Sequence, residues 1–240
     1  MDFVLQAYSS PVDAQGGVIA DASLPAYLWY EAAFLSGMAA MSLGFSLRTD
    51  GRENMPARGP VLVVANHQSF LDPLLVGLAV HRHLCYLARK TLFRNRVFAR
   101  LIRSFNAVPI DQGGVGKEGI QKIIQQLRLN QAVLVFPEGE RTGTGRMCPL
   151  RPGVHLLIRR AKAPLLPVGI AGAFEAWPRS RDFPIPAPLF LPAGKGTIAV
   201  AVGKPLESAR YADMPREQAL NELFDEIHKV QTRAERLRRR

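Results

Sequence analysis

Short apolar runs separated by polar breaks recur along most of the chain. Runs at 61–65, 84–88, 107–110, 132–136 and 165–171, and a later one at 197–202, have the length and content of buried strands. Apolar residues at helical spacing fall between them, at about 73–82, 91–103, 115–130 and 153–162. Strands that alternate with helices predict an α/β fold, a single domain whose largely parallel central sheet is flanked by helices. Residues 48–52 read as a polar turn, and the proline-rich stretch at 183–192 as a loop that cannot donate a regular ladder. Residues 1–23 carry little pattern and read as loosely ordered. No internal repeat is present.

Two further segments frame this alternation. The stretch 24–47 holds one charge, Glu31, and its length could span a bilayer, although Gly, Ala and Ser dilute its hydrophobicity. Glu31 is costly at depth, while Tyr27, Trp29 and Tyr30 cluster at one end as interfacial aromatics do. The expectation is an apolar helix lying in or dipping into one leaflet; a spanning helix and a helix packed on the domain are the alternatives. At the other end, Leu220, Leu223, Phe224, Ile227 and Val230 form one stripe of a basic amphipathic helix over about 215–238. It reads as a docked terminal helix with a solvated basic end, or as a contact to anionic lipid. The organisation expected is an N-terminal segment over 1–50 and a main domain over 51–240.

Charge narrows the partners. Lys and Arg number 31 against 20 Asp and Glu, a formal charge of +11 over 240 residues. Such a surface attracts phosphates, whether on nucleic acid, lipid headgroups or small molecules. Basic residues are not interleaved with aromatics as in a nucleic-acid surface, so nucleic acid is not expected. Cys85 and Cys148 lack metal-ligand spacing, which fits a reduced, cytosol-facing compartment; Cys85 sits in an apolar run and reads as core. The N-terminus has no basic stretch of the kind that opens a signal peptide.

Candidate chemistry lies where strands end. His67 and Asp72 follow the apolar run 61–65, and Asp72-Pro73 reads as an N-cap and the first residue of a helix. In a continuous helix residues five apart diverge by about 140°, but across a strand-to-helix turn the carboxylate can return to the imidazole. That makes a base, since imidazole titrates near neutrality. A second strand, ending at Phe136, is followed by Pro137, Glu138, Gly139, Glu140, Arg141 and Thr142. Arg141 has the donor fork that suits phosphate, and Gly139 permits close backbone approach; alone, the segment could equally be a surface turn. His81, His83, His155 and His228 have no acid partner in a motif. His67, Asp72 and Glu138 lack the spacing of a metal site, and no metal is expected.

Asn66-His67-x-Ser69-x-x-Asp72, Phe136-Pro-Glu-Gly-x-Arg141-Thr142 and Pro164-Leu-Leu-Pro167, in this order and spacing, resemble the glycerolipid acyltransferases, typified by the 1-acylglycerol-3-phosphate acyltransferases. The resemblance covers about residues 50–205. It implies that His67 is the general base and Asp72 its orienter, and that acyl transfer is direct, with no covalent acyl-enzyme. It also implies that Glu138, Gly139 and Arg141 help seat the acceptor's phosphate, that Thr142 supports their loop, and that Ser69 and residue 112 belong to the substrate side. The donor would be acyl-CoA or acyl-carrier protein, with no other cofactor, and the protein would be membrane-associated at the cytoplasmic face. One position departs from the pattern: where the family's second motif carries arginine after aspartate, this chain has Gln112. The seat thereby loses a charge-assisted contact of roughly 1.5–3 kcal/mol. Arg103, Lys117 and the Arg89-Lys90 pair are candidate replacements. The expected reaction makes phosphatidic acid from 1-acylglycerol-3-phosphate. The alternatives are the same chemistry on another lyso-lipid, with a larger headgroup or an amino acid, and a non-enzymatic protein binding anionic membrane or nucleic acid.

Overall fold

The computed structural model describes residues 24–110, 117–189, 194 and 196–239. The readings made above for residues 1–23 and for Gln112 lie outside these residues. The described chain forms one α/β domain around a seven-stranded sheet. In chain order the elements are α1 (Leu24–Phe45), β1 (Arg48–Asp50), β2 (Val61–Ala65), α2 (Asp72–Val80), β3 (Leu84–Arg89), α3 (Arg96–Ser104), β4 (Ala107–Ile110), α4 (Lys117–Arg128), β5 (Ala132–Val135), α5 (Gly153–Ala161), β6 (Leu165–Ala171), α6 (Ala173–Ala176), β7 (Ala199–Val202), α7 (Ser208–Asp213) and α8 (Arg216–Arg238).

The strands lie in the order β1-β7-β6-β2-β5-β3-β4. β6, β2, β5, β3 and β4 run parallel, and β7 with β1 runs against them. Central β2 is wholly buried, as a strand covered on both faces must be. Its side chains alternate. Val61, Val63 and Ala65 join the core under α2 and α6, with Phe34, Met38 and Met41 of α1 packed against it. Leu62 and Val64 join the core under α4, α5, α7 and α8. Because β2, β5, β3 and β4 are parallel, the loops after residues 65, 135, 89 and 110 emerge at one edge, where open α/β sheets bind ligands.

Several elements differ from the sequence reading for local reasons. Residues 48–50 form an edge strand, too short for alternation to reveal, paired with β7. The helix expected over 91–103 splits into a 3-10 turn, Lys90–Phe93, and α3. Asn95 resets the helix there: its side chain accepts from the N–H groups of Val97 and Phe98, both at 3.0 Å. Asp72 is not the N-cap of α2. Leu71 holds that position without a side-chain cap, and Asp72 is the first helical residue.

α1 packs on α2 and the start of β3. Phe34 stacks on His81 at 3.8 Å and Tyr30 on His83 at 3.5 Å. Glu31 lies 3.4 Å from His81, so His81 does have an acid partner, supplied by a distant helix. Among the described residues no helix is long and apolar enough to cross a membrane, which leaves the spanning alternative without support. At the other end of the chain, α8 is docked through buried Ala219, Leu223, Ile227, Val230 and Ala234. It lies so close to β6 that a Cβ on Gly169 would stand 2.2 Å from the Gln231 nitrogen. Its basic end is partly engaged, with Arg233 on Asp50 at 3.1 Å and Arg238 and Arg239 each on Glu235 at 2.8 Å.

Candidate active site

The loop after β2 carries the His67–Asp72 pair. Nδ1 of His67 stands 2.7 Å from Oδ2 of Asp72, which is fully buried. The same Oδ2 accepts from the backbone N–H groups of Gln68 at 2.5 Å and Ser69 at 2.7 Å. Asp72 thus closes the turn on itself, and the proline at the start of α2 fixes the direction in which the helix leaves. Burial pushes the Asp72 pKa up, while His67 and the Ser69 and Gln68 N–H groups favour the ionised form. With Nδ1–H donating to the carboxylate, Nε2 keeps its lone pair for an incoming proton. The imidazole also lies flat on Phe136, with ring centroids 3.9 Å apart and planes 12° from parallel. Its carboxylate and its ring partner come from different loops, and together they leave it one orientation.

The loop after β5 is tied to the His67 loop by backbone. The N–H of Thr142 donates to the His67 carbonyl at 2.9 Å. The N–H of His67 donates to Oε1 of Glu138 at 2.7 Å, and the N–H of Cys148 to Oε2 at 2.6 Å. Glu138 is 1% exposed, and burial raises its pKa against the pull of these hydrogen bonds. Both of its oxygens are therefore spent on holding loops. Gly139 adopts φ 80, a left-handed conformation that turns the chain back toward Arg151. Thr142 is buried and accepts from the N–H of Thr144 at 3.2 Å. Ser69 is fully buried too; its hydroxyl donates to the Trp177 carbonyl at 2.7 Å and accepts from the Leu71 N–H. The side-chain oxygens of Ser69 and Glu138, both expected on the substrate side, are engaged in hydrogen bonds that hold these loops.

Arg141 is the cation of this loop. Its guanidinium lies 3.5 Å from the centroid of the Phe70 ring, and its Nη1 is buried without a hydrogen-bond partner among the described residues. Burial lowers its pKa first, then repulsion from Arg179 and Arg89, opposed by attraction to Asp72. Arg89, the last residue of β3, thus shares an electrostatic neighbourhood with Arg141. Arg103 instead faces Phe93 at 5.2 Å. The Lys117 side chain lies outside the described residues.

The Acyltransferase family model matches residues 46–171. The chain belongs to the acyltransferase family. The acyltransferase is 26% identical over 189 residues to the 1-acyl-sn-glycerol-3-phosphate acyltransferase of Bacillus subtilis, covering 78% of this chain and 87% of that protein. It is 23% identical over 197 residues to a chloroplastic 1-acyl-sn-glycerol-3-phosphate acyltransferase of Brassica napus, spanning 80% of this chain but only about half, 54%, of that relative. Its fold matches the crystal structure of the 1-acyl-sn-glycerophosphate acyltransferase PlsC from Thermotoga maritima, with a TM-score of 0.74 at 21% identity, over 100% of this chain and 88% of that one.

Within the acyltransferase, sequence reasoning quoted Asn66 as part of a motif without a role of its own and gave none to Gln68 and Phe70. Asn66 continues the ladder past the end of β2, accepting from the Ile170 N–H at 2.7 Å and donating to the Ile170 carbonyl at 3.0 Å. Gln68 reaches toward the Gly145 carbonyl and the Phe174 N–H, both at 3.4 Å. A buried polar residue directly after a strand was the available signal for Asn66; the partners of Gln68 are 77 and 106 positions away. Among the described residues no three His, Cys, Asp or Glu side chains stand close enough together to hold a metal ion.

Proposed function

We propose that this O-acyltransferase moves a fatty acyl group from acyl-CoA or acyl-carrier protein to the free hydroxyl of 1-acylglycerol-3-phosphate, giving phosphatidic acid. The observation that carries this reading is the juxtaposition of an oriented base with a cation. The His67–Asp72 pair closes at 2.7 Å, and Arg141 belongs to a loop hydrogen-bonded to His67 on both sides of its peptide. Relatives named for this reaction support it.

Nε2 of His67 takes the acceptor's hydroxyl proton as the oxygen attacks the thioester carbonyl. The tetrahedral adduct collapses, the C–S bond breaks, and the imidazolium returns its proton to the departing thiolate. Asp72 stabilises the imidazolium and keeps Nε2 toward substrate. Base catalysis of this kind contributes roughly 10²–10⁴-fold, and the remaining acceleration comes from positioning and from stabilising the oxyanion. Arg141, with Arg89 and Arg179 adding positive potential, takes the acceptor's phosphate, and these two cations offset the missing charge at Gln112. Gly139 gives the loop its turn.

The protein works at the cytoplasmic face of a membrane, bound without spanning it. Exposed Leu24, Leu28, Trp29 and Leu35 of α1 support this, as do Val97, Phe98 and Leu101 of α3.

Purified His67→Ala, assayed with an acyl thioester and a panel of lyso-lipids, tests the reading. Wild-type protein should prefer 1-acylglycerol-3-phosphate, and the variant should fold but lose transfer. More than a few per cent of wild-type activity in the variant would sink the base assignment. A preference for a lyso-lipid with a larger headgroup would move the acceptor.

A further inference from the structure

Phe70 lies in the His67 loop and is 54% exposed, so the core gains little from it. Its ring has other neighbours. The Arg141 guanidinium carbon stands 3.5 Å from its centroid, and Trp177 backs it at 5.6 Å with the planes tilted by 48°. We propose that Phe70 is a positioning residue for the acceptor: its ring fixes the Arg141 guanidinium in the attitude that receives the acceptor's phosphate. The proposal rests on the reading of Arg141 as part of the phosphate seat.

Arginine has a long, rotamer-rich side chain, and here Arg179 and Arg89 both repel it. Unsupported, the guanidinium would swing toward solvent. The negative face of an aromatic ring attracts it. The ring also covers one face of the planar group, so the in-plane N–H donors are what a ligand meets. Those donors form the fork that grips two phosphate oxygens at once. The protein does not use up this capacity: Nη1 of Arg141 has no protein acceptor among the described residues. Phe70 is also only three residues from His67, and Ser69 between them is anchored by its hydroxyl to Trp177. The ring therefore sets the phosphate seat and the base within one loop.

Steady-state kinetics of the full-length protein test this, with 1-acylglycerol-3-phosphate as the varied acceptor and Phe70→Leu, Phe70→Met, Phe70→Tyr and Arg141→Ala as variants. Both non-aromatic variants should raise the acceptor KM by roughly three- to thirtyfold, with a smaller change in kcat and an unchanged KM for the acyl donor. Phe70→Tyr should restore wild-type values. In the Arg141→Ala background, Phe70→Leu should add nothing, because the ring acts through the arginine. An acceptor KM untouched by loss of the ring overturns the proposal, provided Arg141→Ala raises it. So does a rise in the donor KM instead, or additivity of the two substitutions. An acceptor KM that Arg141→Ala leaves unchanged overturns the phosphate seat itself.

Discussion

Two histidines of this chain meet a carboxylate and stack on a phenylalanine, and only one has the setting of a catalyst. His67 lies on Phe136 at 3.9 Å and 2.7 Å from Asp72; His81 lies on Phe34 at 3.8 Å and 3.4 Å from Glu31. The rings are held alike. The acids are not. Asp72 is fully buried and shares one oxygen among an imidazole and two backbone N–H groups, so its position is fixed before the histidine arrives. The Glu31 side chain is 22% exposed and rides on a helix that must itself dock. What separates a dyad from a helix clamp is therefore the preorganisation of the acid, together with its place at the carboxyl ends of parallel strands.

The largest effect should come from neutralising that acid. Asp72→Asn keeps the shape, and its amide oxygen can still accept the three hydrogen bonds made to Oδ2, but it removes the negative charge that stabilises the imidazolium. We expect kcat to fall by about 10²–10⁴-fold while circular dichroism stays native. Activity within tenfold of wild type would remove Asp72 from the mechanism. Glu138→Gln should come next. Its amide nitrogen would face an N–H of either His67 or Cys148, donor against donor, costing about 1–3 kcal/mol. Urea unfolding should show that loss, and kcat should drop without a matching rise in KM.

The helix clamp should answer to pH instead. His83 stacks on Tyr30 beside Glu31 and His81, and burial lowers its pKa from 6.5 to about 4. Between those values the unfolded chain takes up a proton that the folded protein refuses. The contribution of neutral His83 is thus complete above pH 6.5 and is lost as pH falls toward 4, by at most about 3 kcal/mol. Unfolding at pH 7 and pH 4.5 should show a larger acid loss in wild type than in His83→Gln; equal losses would place the sensitivity elsewhere. The smallest effect is expected from Glu31→Gln. A partly exposed pair of this kind contributes about 0–1 kcal/mol, so melting should shift slightly and transfer should be unchanged within twofold.

The same contrast governs what the sequence could reveal. Asp72 lies five positions from His67, and a strand, a turn and a proline sufficed to bring them together on paper. The strands β2, β4 and β6 were legible to the residue: β2 and β6 because runs buried on both faces leave an uninterrupted apolar signature, and the edge strand β4 because its four residues are apolar although only Ile110 is buried. Glu31 and His81 are 50 positions apart, and nothing local announces their meeting. The carboxylate of Glu138 was legible as part of a motif but not as a brace, since its partners are backbone groups that any sequence possesses. Phe70 was hidden for the opposite reason: an aromatic beside a catalytic loop looks like core until its exposure and its cationic neighbour are seen. β1 carries three polar residues at a sheet edge, where charge is ordinary and pattern is lost.

The missing side chain at Gly169 reaches into the order of synthesis. β6 lies between β2 and β7, yet the face of it that carries Gly169 is covered by backbone from Val230 and Gln231. A ribosome will have released both catalytic loops long before it delivers that cover. Until then the face of β6 that carries Gly169 lacks its cover, and a nascent chain in that state exposes apolar surface that favours aggregation before the fold is complete.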